Sequence, residues 1–306
     1  MGRLITTLGP RTAAQVGLIL PHEHVFVDFR TPDHPEHGRA DAADVVALMA
    51  PQVRQAQALG VTAIVDCTPV GVGRRVDALR RLSQETGCPI LAPTGIYHEP
   101  WVPRWAYDAS VEELRDWMLG ELQGDVEGTG VQASWIKLSA SDEGVTPVEA
   151  RILRAAAGAA AATGAVIGSH TLRGPVARDQ LDILERAGHP AERFIWIHTQ
   201  AEPDVALHLD AARRGAWIEY DALGAPEVSA AAWVARIGRI LDAGLGDHLL
   251  LSHDRGWYDP ALPGGGAPQP YTYLSETLLP ALCAAGVDQD TVDLLTRANP
   301  FRAFAR

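Results

Sequence analysis

The sequence predicts an α/β fold, a (β/α)8 TIM barrel that forms a single domain over residues 1–306. Short apolar runs alternate with longer amphipathic stretches from one end of the chain to the other, which indicates repeated strand and helix units. Runs such as Leu249-Leu250-Leu251 are apolar throughout, as in parallel strands covered on both faces. Eight such units in ~250–300 residues, with no Pro/Ser-rich linker between them, are typical of this barrel.

The eight predicted strands are apolar runs bounded by turn-forming residues. They cover residues 16–20, 61–67, 89–93, 134–138, 165–169, 194–197, 216–220 and 248–252. A doubly wound fold would place a glycine-rich phosphate loop after its first strand. Here the first strand leads instead into Pro21-His22-Glu23-His24, which favours the barrel.

The predicted helices carry start and stop signals. Residues 41–59 have apolar residues at helical spacing and end before Gly60, while Pro51 is expected to kink or split this helix. Ser110 and Glu113 have the spacing of a capping box. Further helices are predicted at 147–163, at 203–214 and from about Tyr273.

Composition limits the classes of partner. The 47% hydrophobic and 21% charged residues are those of an ordinary globular protein. A net charge of -12 without a Lys/Arg cluster argues against nucleic acid and anionic membranes. The three cysteines have no CxxC spacing, so a reducing cytoplasm is the expected location. We find no run of signal-peptide or membrane-span length.

Lys137 is the single lysine of the chain, whose other 25 basic residues are arginines, and it lies within an apolar strand. Lysine offers a nucleophilic amine whose pKa falls readily on burial, and arginine does not. A functional role and a chance survivor with its amine turned to water are both compatible with this position.

Reactive groups of a (β/α)8 barrel lie at the carboxyl ends of its strands. His22 and His24 are two residues apart after the first strand, so both imidazoles point to one face. We therefore predict a metal site there, and interpret His34, His37, His98, His189, His208 and His248 as structural. The other residues at strand ends are Lys137, His170, His198 and Asp254.

The predicted ligands, four histidines and a carboxylate, suit zinc, manganese, cobalt or iron better than calcium. A single catalytic zinc takes three protein ligands and a water, so this larger set indicates two metal ions. A lysine ammonium would be repelled by two dications. The side chain of Lys137 must therefore become neutral or negative.

In sequence order these motifs resemble the phosphotriesterase family, including its phosphotriesterase-like lactonases and phosphotriesterase homology proteins, within the amidohydrolase superfamily. That family consists of binuclear metallohydrolases on TIM barrels. The resemblance spans nearly the whole chain. It is carried by His22-Glu23-His24, Thr62 to Asp66, Gly71-Val72-Gly73-Arg74, Pro93 to Tyr97, Ile136-Lys137-Leu138, Ser169-His170-Thr171, Ile197-His198-Thr199, Ser252-His253-Asp254 and Asn299-Pro300.

The resemblance implies that carbon dioxide carbamylates Lys137 and that the carbamate, with a hydroxide, bridges two divalent metals. Zinc is favoured, with manganese, cobalt or iron as alternatives. It further implies that His22, His24 and Asp254 bind the more buried metal, and that His170 and His198 bind the other. The hydroxide would attack the substrate while Asp254 accepts the proton, so Asp254 and Lys137 are the implied catalytic residues.

Four residues are predicted to contact substrate. Tyr97 resembles a tyrosine of the lactonase branch, and Trp257 and Tyr258 could form an aromatic pocket together with Trp101 and Trp105, or could pack loops on helices. The branch pattern Gly-Leu-Asp-Arg-Tyr-Gly is replaced here by residues 219–224, which lack the arginine. Arg255 could supply a cation in its place.

Three polar residues near the strand ends have other predicted roles. Asp221 could orient His198 or a substrate, or could be an ordinary loop residue. We do not expect His253 to be a ligand, because it points away from Asp254 on an extended segment. A buried structural thiol is the preferred interpretation of Cys67.

We therefore predict a binuclear metal-dependent hydrolase of small-molecule lactones or carboxylic esters, with any phosphotriesterase activity secondary. An organophosphate triester hydrolase and a catalytically silent barrel that binds metal or ligand are the alternatives. Members of the family are often dimers, so a homodimer is compatible with the resemblance.

Overall fold

Ten β-strands run along the barrel wall in the computed structural model, which describes residues 2–306. They are Leu18–Phe26 (β1), Val61–Asp66 (β2), Ile90–Leu91 (β3), Pro93–Thr94 (β4), Trp135–Ser139 (β5), Ile167–His170 (β6), Phe194–Ile197 (β7), Trp217–Tyr220 (β8), Leu249–Leu251 (β9) and Gly256–Tyr258 (β10). Every pairing between them is parallel, which confirms the type of sheet predicted from the apolar strands.

The strands pair in the orders β10-β1-β2-β3 and β4-β5-β6-β7-β8-β9. β3 and β4 are separated by Ala92 alone and together form the third wall of the barrel. At the other seam the Asp254 amide donates to the His22 carbonyl oxygen at 3.1 Å, and the His22 amide donates to Ser252 Oγ at 3.0 Å. The predicted TIM barrel is thus confirmed.

The first strand differs from the prediction. β1 extends to Phe26 rather than ending at residue 20, so His22 and His24 lie within it. The extension is supported by β10, which the sequence analysis missed and which pairs His24 with Gly256 and Phe26 with Tyr258. A three-residue strand that begins with glycine has little intrinsic β signal, and only its partner reveals it.

Helices surround the barrel. α1 is continuous past Pro51, so the predicted split is wrong. Its loss of one backbone hydrogen bond is tolerated because Val45, Met49 and Val53 anchor both halves in the core. The predicted capping box of Ser110 and Glu113 is confirmed. The α-helices are Ala42–Ala58 (α1), Val76–Thr86 (α2), Arg104–Asp108 (α3), Val111–Gln123 (α4), Pro147–Thr163 (α5), Gly174–Arg186 (α6), Val205–Arg213 (α7), Ala230–Asp242 (α8), Leu279–Ala284 (α9), Gln289–Asp293 (α10) and Asn299–Phe304 (α11).

The barrel interior is apolar at its amino end and polar at its carboxyl end. Trp135 is fully buried and packs edge-on against Phe304, with ring centroids 5.2 Å apart. Lys137 is two residues further along β5 and so faces the same interior. The packed floor therefore supports polar groups at the upper rim. Within residues 2–306, no helix is both long and apolar enough to span a membrane.

Candidate metal centre

A cavity of about 160 Å³ opens at the carboxyl end of the barrel. All six predicted metal ligands line it, so strands that are far apart in sequence bring them together as expected. The lining residues are His22, His24, Val27, Phe29, Cys67, Val72, Tyr97, Lys137, His170, His198, Asp254 and Trp257.

Two of these ligands lie on unusual backbone. His198 follows β7 with φ of 63°, and Asp254 follows β9 with φ of 56°. Both values are left-handed, a conformation that histidine and aspartate adopt more readily than most other residues. The chain turns sharply at these two positions while each side chain lines the cavity.

Two cavity histidines share a buried carboxylate at Nδ1. His22 Nδ1 is 2.9 Å from Glu219 Oε2 and 3.2 Å from Asp221 Oδ2. His198 Nδ1 is 2.8 Å from Asp221 Oδ1, and the His198 amide donates to Asp221 Oδ2 at 2.9 Å. Asp221 therefore orients His198, one of the roles that the sequence left open for it.

The other two cavity histidines have hydroxyl partners at Nδ1. His24 Nδ1 is 2.6 Å from Thr68 Oγ1, and His170 Nδ1 is 3.2 Å from the Tyr97 hydroxyl. With all four Nδ1 atoms engaged, each Nε2 is left to serve as the ligand atom.

The residues present fit a metal ion. His22 Nε2 is buried and has no hydrogen-bond partner within residues 2–306. It lies 3.5 Å from Asp254 Oδ1, and His24 Nε2 lies 3.0 Å from the same oxygen. Such separations are those of ligands that each lie about 2.1 Å from one tetrahedral ion. His22, His198 and Asp254 also present ligand atoms within 4.8 Å of one another.

Protonation states favour metal binding. Burial, reinforced by the charge of Lys137, lowers the pKa of His22 to about 3. Burial and the neighbouring His198 likewise lower the pKa of His170. Burial alone would raise the pKa of Asp254, but its interactions with the neighbouring His22 and His24 outweigh burial and lower that pKa. Neutral imidazoles beside an ionised carboxylate are the forms that bind metals.

The pKa values of the two buried carboxyls behind the histidines are shifted in opposite directions. Burial and the neighbouring Asp221 raise the pKa of Glu219 well above its usual value. Burial opposes ionisation of Asp221 too, but His198 and His22 outweigh it and lower the pKa of Asp221. Of the two carboxyls, Asp221 is therefore the one that ionises more readily.

Lys137 is only 2% exposed. Within residues 2–306, no acceptor or carboxylate lies within hydrogen-bond or ion-pair distance of its Nζ atom. Lys137 thus lines the cavity without a counter-ion within ion-pair distance among the described residues.

His253 and Cys67 have the predicted structural roles. His253 Nδ1 is 2.5 Å from Glu23 Oε1, and its Nε2 accepts the Leu274 amide at 2.9 Å. Neither nitrogen is available to a metal. Burial raises the pKa of the Cys67 thiol well above its usual value, which keeps it protonated and unreactive.

The predicted substrate contacts divide into two groups. Tyr97 and Trp257 line the cavity. Arg255 does not, because its guanidinium donates to the Gly224 carbonyl oxygen. Tyr258 packs behind the cavity against Phe26, with stacked rings 5.7 Å apart.

The tryptophans of the third loop also separate. The Trp101 indole donates to the Phe29 carbonyl oxygen at 2.8 Å and packs edge-on against Tyr97. Trp105 packs instead on Trp117 of α4, with ring centroids 5.1 Å apart. Because Trp105 lies on α3, its role is to pack one helix on another, outside the cavity.

Sequence analysis missed Glu219 and Phe29. Glu219 could have been suspected as a carboxylate within an apolar strand, two residues from Asp221 and hence on its face. Phe29 carries no such signal. It is placed over the cavity by edge-on contacts with Trp101 and Trp257, both at 6.0 Å.

Comparison with known proteins gives consistent matches over the full chain. Residues 2–304 match the model of the phosphotriesterase family. A phosphotriesterase homology protein from Mycobacterium tuberculosis is 29% identical, over 100% of this chain and 98% of that protein. An N-acetyltaurine hydrolase from Rattus norvegicus is 25% identical, over 98% of this chain and 97% of that protein. The structure of a variant PTE-like lactonase from Deinococcus radiodurans has a TM-score of 0.87 and 31% identity, covering 98% of this chain and 99% of that one.

Proposed function

The chain belongs to the phosphotriesterase family, and on this premise we propose that it is a binuclear metallohydrolase of lactones or carboxylic esters. That it is a hydrolase dependent on divalent metal follows from the family. The number of metals, their ligands and the substrate are the proposal.

The observation that carries the proposal is the arrangement of the four cavity histidines. Each Nδ1 is engaged by another side chain, which leaves each Nε2 for a metal. His22, His24 and Asp254 would hold the first metal, and His170 and His198 the second. Lys137, carbamylated by carbon dioxide, would be shared by both.

The proposed reaction depends on the bound metals and on Asp254 as the proton acceptor. When bound, the metals lower the pKa of a coordinated water to ~7 and stabilise negative charge on the oxygen of the attacked carbonyl. Asp254 is ionised and partly exposed at the rim, so it can accept the proton of the attacking water and pass it to the leaving group.

The cavity walls favour a neutral substrate. Apolar contact is provided by Val27, Phe29, Val72 and Trp257. Among residues 2–306, no arginine lines this cavity. The buried Trp257 indole N–H has no hydrogen-bond partner within the described chain, so a substrate oxygen could accept from it. A lactone or ester offers such an oxygen without a charge. The related protein named a lactonase supports the same class.

Two other substrate classes belong to the same chemistry. Phosphotriesters are suggested by the family, and N-acyl amides by the relative named N-acetyltaurine hydrolase. The latter name describes an anionic substrate, for which the cavity supplies no arginine. We therefore rank lactones and esters first.

A proton-release screen tests the proposal. Protein loaded with zinc, manganese or cobalt is assayed against panels of lactones, esters, phosphotriesters and N-acyl amides, with metal content measured in parallel. We expect about two metals per chain and fastest turnover of a lactone or ester. A metal-free protein with no turnover on any panel would overturn the assignment, and faster phosphotriester or amide turnover would replace the substrate class.

A further inference from the structure

Glu219 and Asp221 lie two residues apart on and just after β8 and share one face of the strand. Their side chains are 1% and 0% exposed, and both contact His22 Nδ1. Two acidic side chains are thus buried directly behind one proposed metal ligand. His198 Nδ1 also has two carboxyls near it, but only Asp221, at 2.8 Å, is within hydrogen-bond distance, since Asp254 is 4.0 Å away.

The two carboxyls differ in what else they hold. Asp221 Oδ1 accepts from His198 Nδ1 at 2.8 Å and from Gln200 Nε2 at 2.6 Å, and its Oδ2 accepts the His198 amide at 2.9 Å. Glu219 Oε1 has no hydrogen-bond partner within the described chain. The only proposed ligand that Glu219 contacts is therefore His22, whereas Asp221 is chiefly committed to His198.

We propose that Glu219 is a positioning residue that serves the first metal and leaves the second unaffected. This inference rests on the proposed binuclear centre. By accepting the Nδ1–H of His22, Glu219 fixes the tautomer in which Nε2 carries the lone pair and sets the orientation of the ring. Partners of this kind typically change metal affinity by about 10- to 100-fold.

A purely structural role for Glu219 makes a different prediction. If Glu219 only fills space in the barrel, an apolar side chain of similar volume should replace it without loss, as is often found for buried polar groups. If its acceptor oxygen matters, glutamine should replace it and methionine should not. Glu219→Met and Glu219→Gln therefore separate the two roles.

The experiment is a zinc titration of metal-free protein against a chromophoric chelator that competes for zinc. We expect two zinc sites in the wild type and in Glu219→Gln, with closely similar affinities. In Glu219→Met we expect one site weakened by about 10- to 100-fold and the other unchanged. Wild-type affinities at both sites of Glu219→Met, equal weakening of both, or a Gln variant as weak as the Met variant would each overturn the inference.

Glu149→Gln is the matched control. Glu149 is also buried, at 4% exposure, but it accepts from Ser141 and Thr146 at the start of α5 and contacts no cavity histidine. Both zinc affinities should be those of the wild type. If Glu219→Met is unfolded without metal by circular dichroism, Glu219→Leu replaces it. A wild type that binds no zinc would contradict the proposed function rather than the role of Glu219.

Discussion

Single residues around the cavity are held by side chains from other strands, and Lys137 is the exception. It is buried on β5 among the proposed ligands with no hydrogen-bond partner within residues 2–306. A carbamate on its amine would remove the unpaired positive charge and supply two oxygen ligands. Substitution of Lys137 should therefore lower the metal content of the protein, and the loss of hydrolytic activity should follow from the loss of metal.

Lys137→Ala should lose both metals and all hydrolysis, because the shared ligand is gone. Lys137→Arg should fail as well, since a guanidinium stays positively charged and forms no carbamate. Metal per chain is measured by elemental analysis, and gentle intact-mass analysis of the wild type should find one added carbon dioxide. Restoration of Lys137→Ala by a small carboxylate would support the bridge. Full activity and metal in Lys137→Arg would contradict it.

Trp257 tests substrate recognition at the same scale. Trp257→Phe keeps an aromatic wall but removes the unpaired indole N–H. Loss of one hydrogen bond of ~0.5–1.5 kcal/mol should raise KM for the best lactone or ester by about 2- to 10-fold, with metal content unchanged. Trp105→Phe, on the outer helix α3, is the control and should leave KM as it is. An unchanged KM in Trp257→Phe would remove this contact from the proposal.

The strands set the positions of the proposed ligands, and the close packing of the segment after β4 against β5 is an example. Gly95 follows β4 with φ of 110°, and a Cβ there would collide with the Lys137 carbonyl oxygen. Only glycine fits, because both the backbone angle and the close approach exclude a side chain. The backbone of Lys137 is thus held by its neighbour in the barrel wall.

Gly95→Ala should lower the free energy of unfolding and displace β5. We expect a loss larger by about 1–3 kcal/mol than in Gly188→Ala. Gly188 also has a positive φ, of 76°, but open space around its Cβ position, so the control isolates the collision from the backbone strain. Denaturant unfolding of both variants gives the comparison. If both variants lose the same free energy of unfolding, β5 can move away from the new Cβ without destabilising the protein.

The element pattern was predictable to the extent that it is local. Eight apolar runs, the helix at 147–163 and the capping box at Ser110 follow from residue order alone. Neither β10 nor the full length of β1 was predictable, because each of these strands is stabilised by its pairing with the other. The same holds for the site. The ligands could be found at strand ends, whereas the contact of Glu219 with His22 depends on the relation between distant strands.

At the scale of the whole molecule, the proposed metals join residues on or directly after five separate strands of the barrel. Binding to the folded state alone should therefore raise its stability, by about 2.7 kcal/mol for each site at a free metal concentration 100 times its Kd. Thermal unfolding of chelator-treated protein, with and without added zinc, measures the shift. In Lys137→Ala, added zinc should shift the thermal unfolding only slightly. An equal zinc-induced shift in Lys137→Ala would place the stabilising ion outside the proposed centre.

Acid stability tests a buried histidine away from the metals. His208 Nε2 donates to the Glu202 carbonyl oxygen at 2.9 Å, and its Nδ1 accepts from the Tyr220 hydroxyl at 2.8 Å. Burial lowers the pKa of His208 from 6.5 to about 4. Between these values the unfolded chain binds more protons than the folded protein, so stability falls as the pH falls.

We expect the stability contributed by His208 to be complete above pH 6.5 and to disappear towards pH 4. The steepest slope for one group is about 1.4 kcal/mol per pH unit. Denaturant unfolding of metal-free wild type and His208→Gln across this range measures it, because the other titrating groups are common to both proteins. The stability advantage of the wild type should shrink by up to roughly 3 kcal/mol between pH 7 and pH 4. An advantage that is constant with pH would show that His208 titrates alike in the folded and unfolded chains.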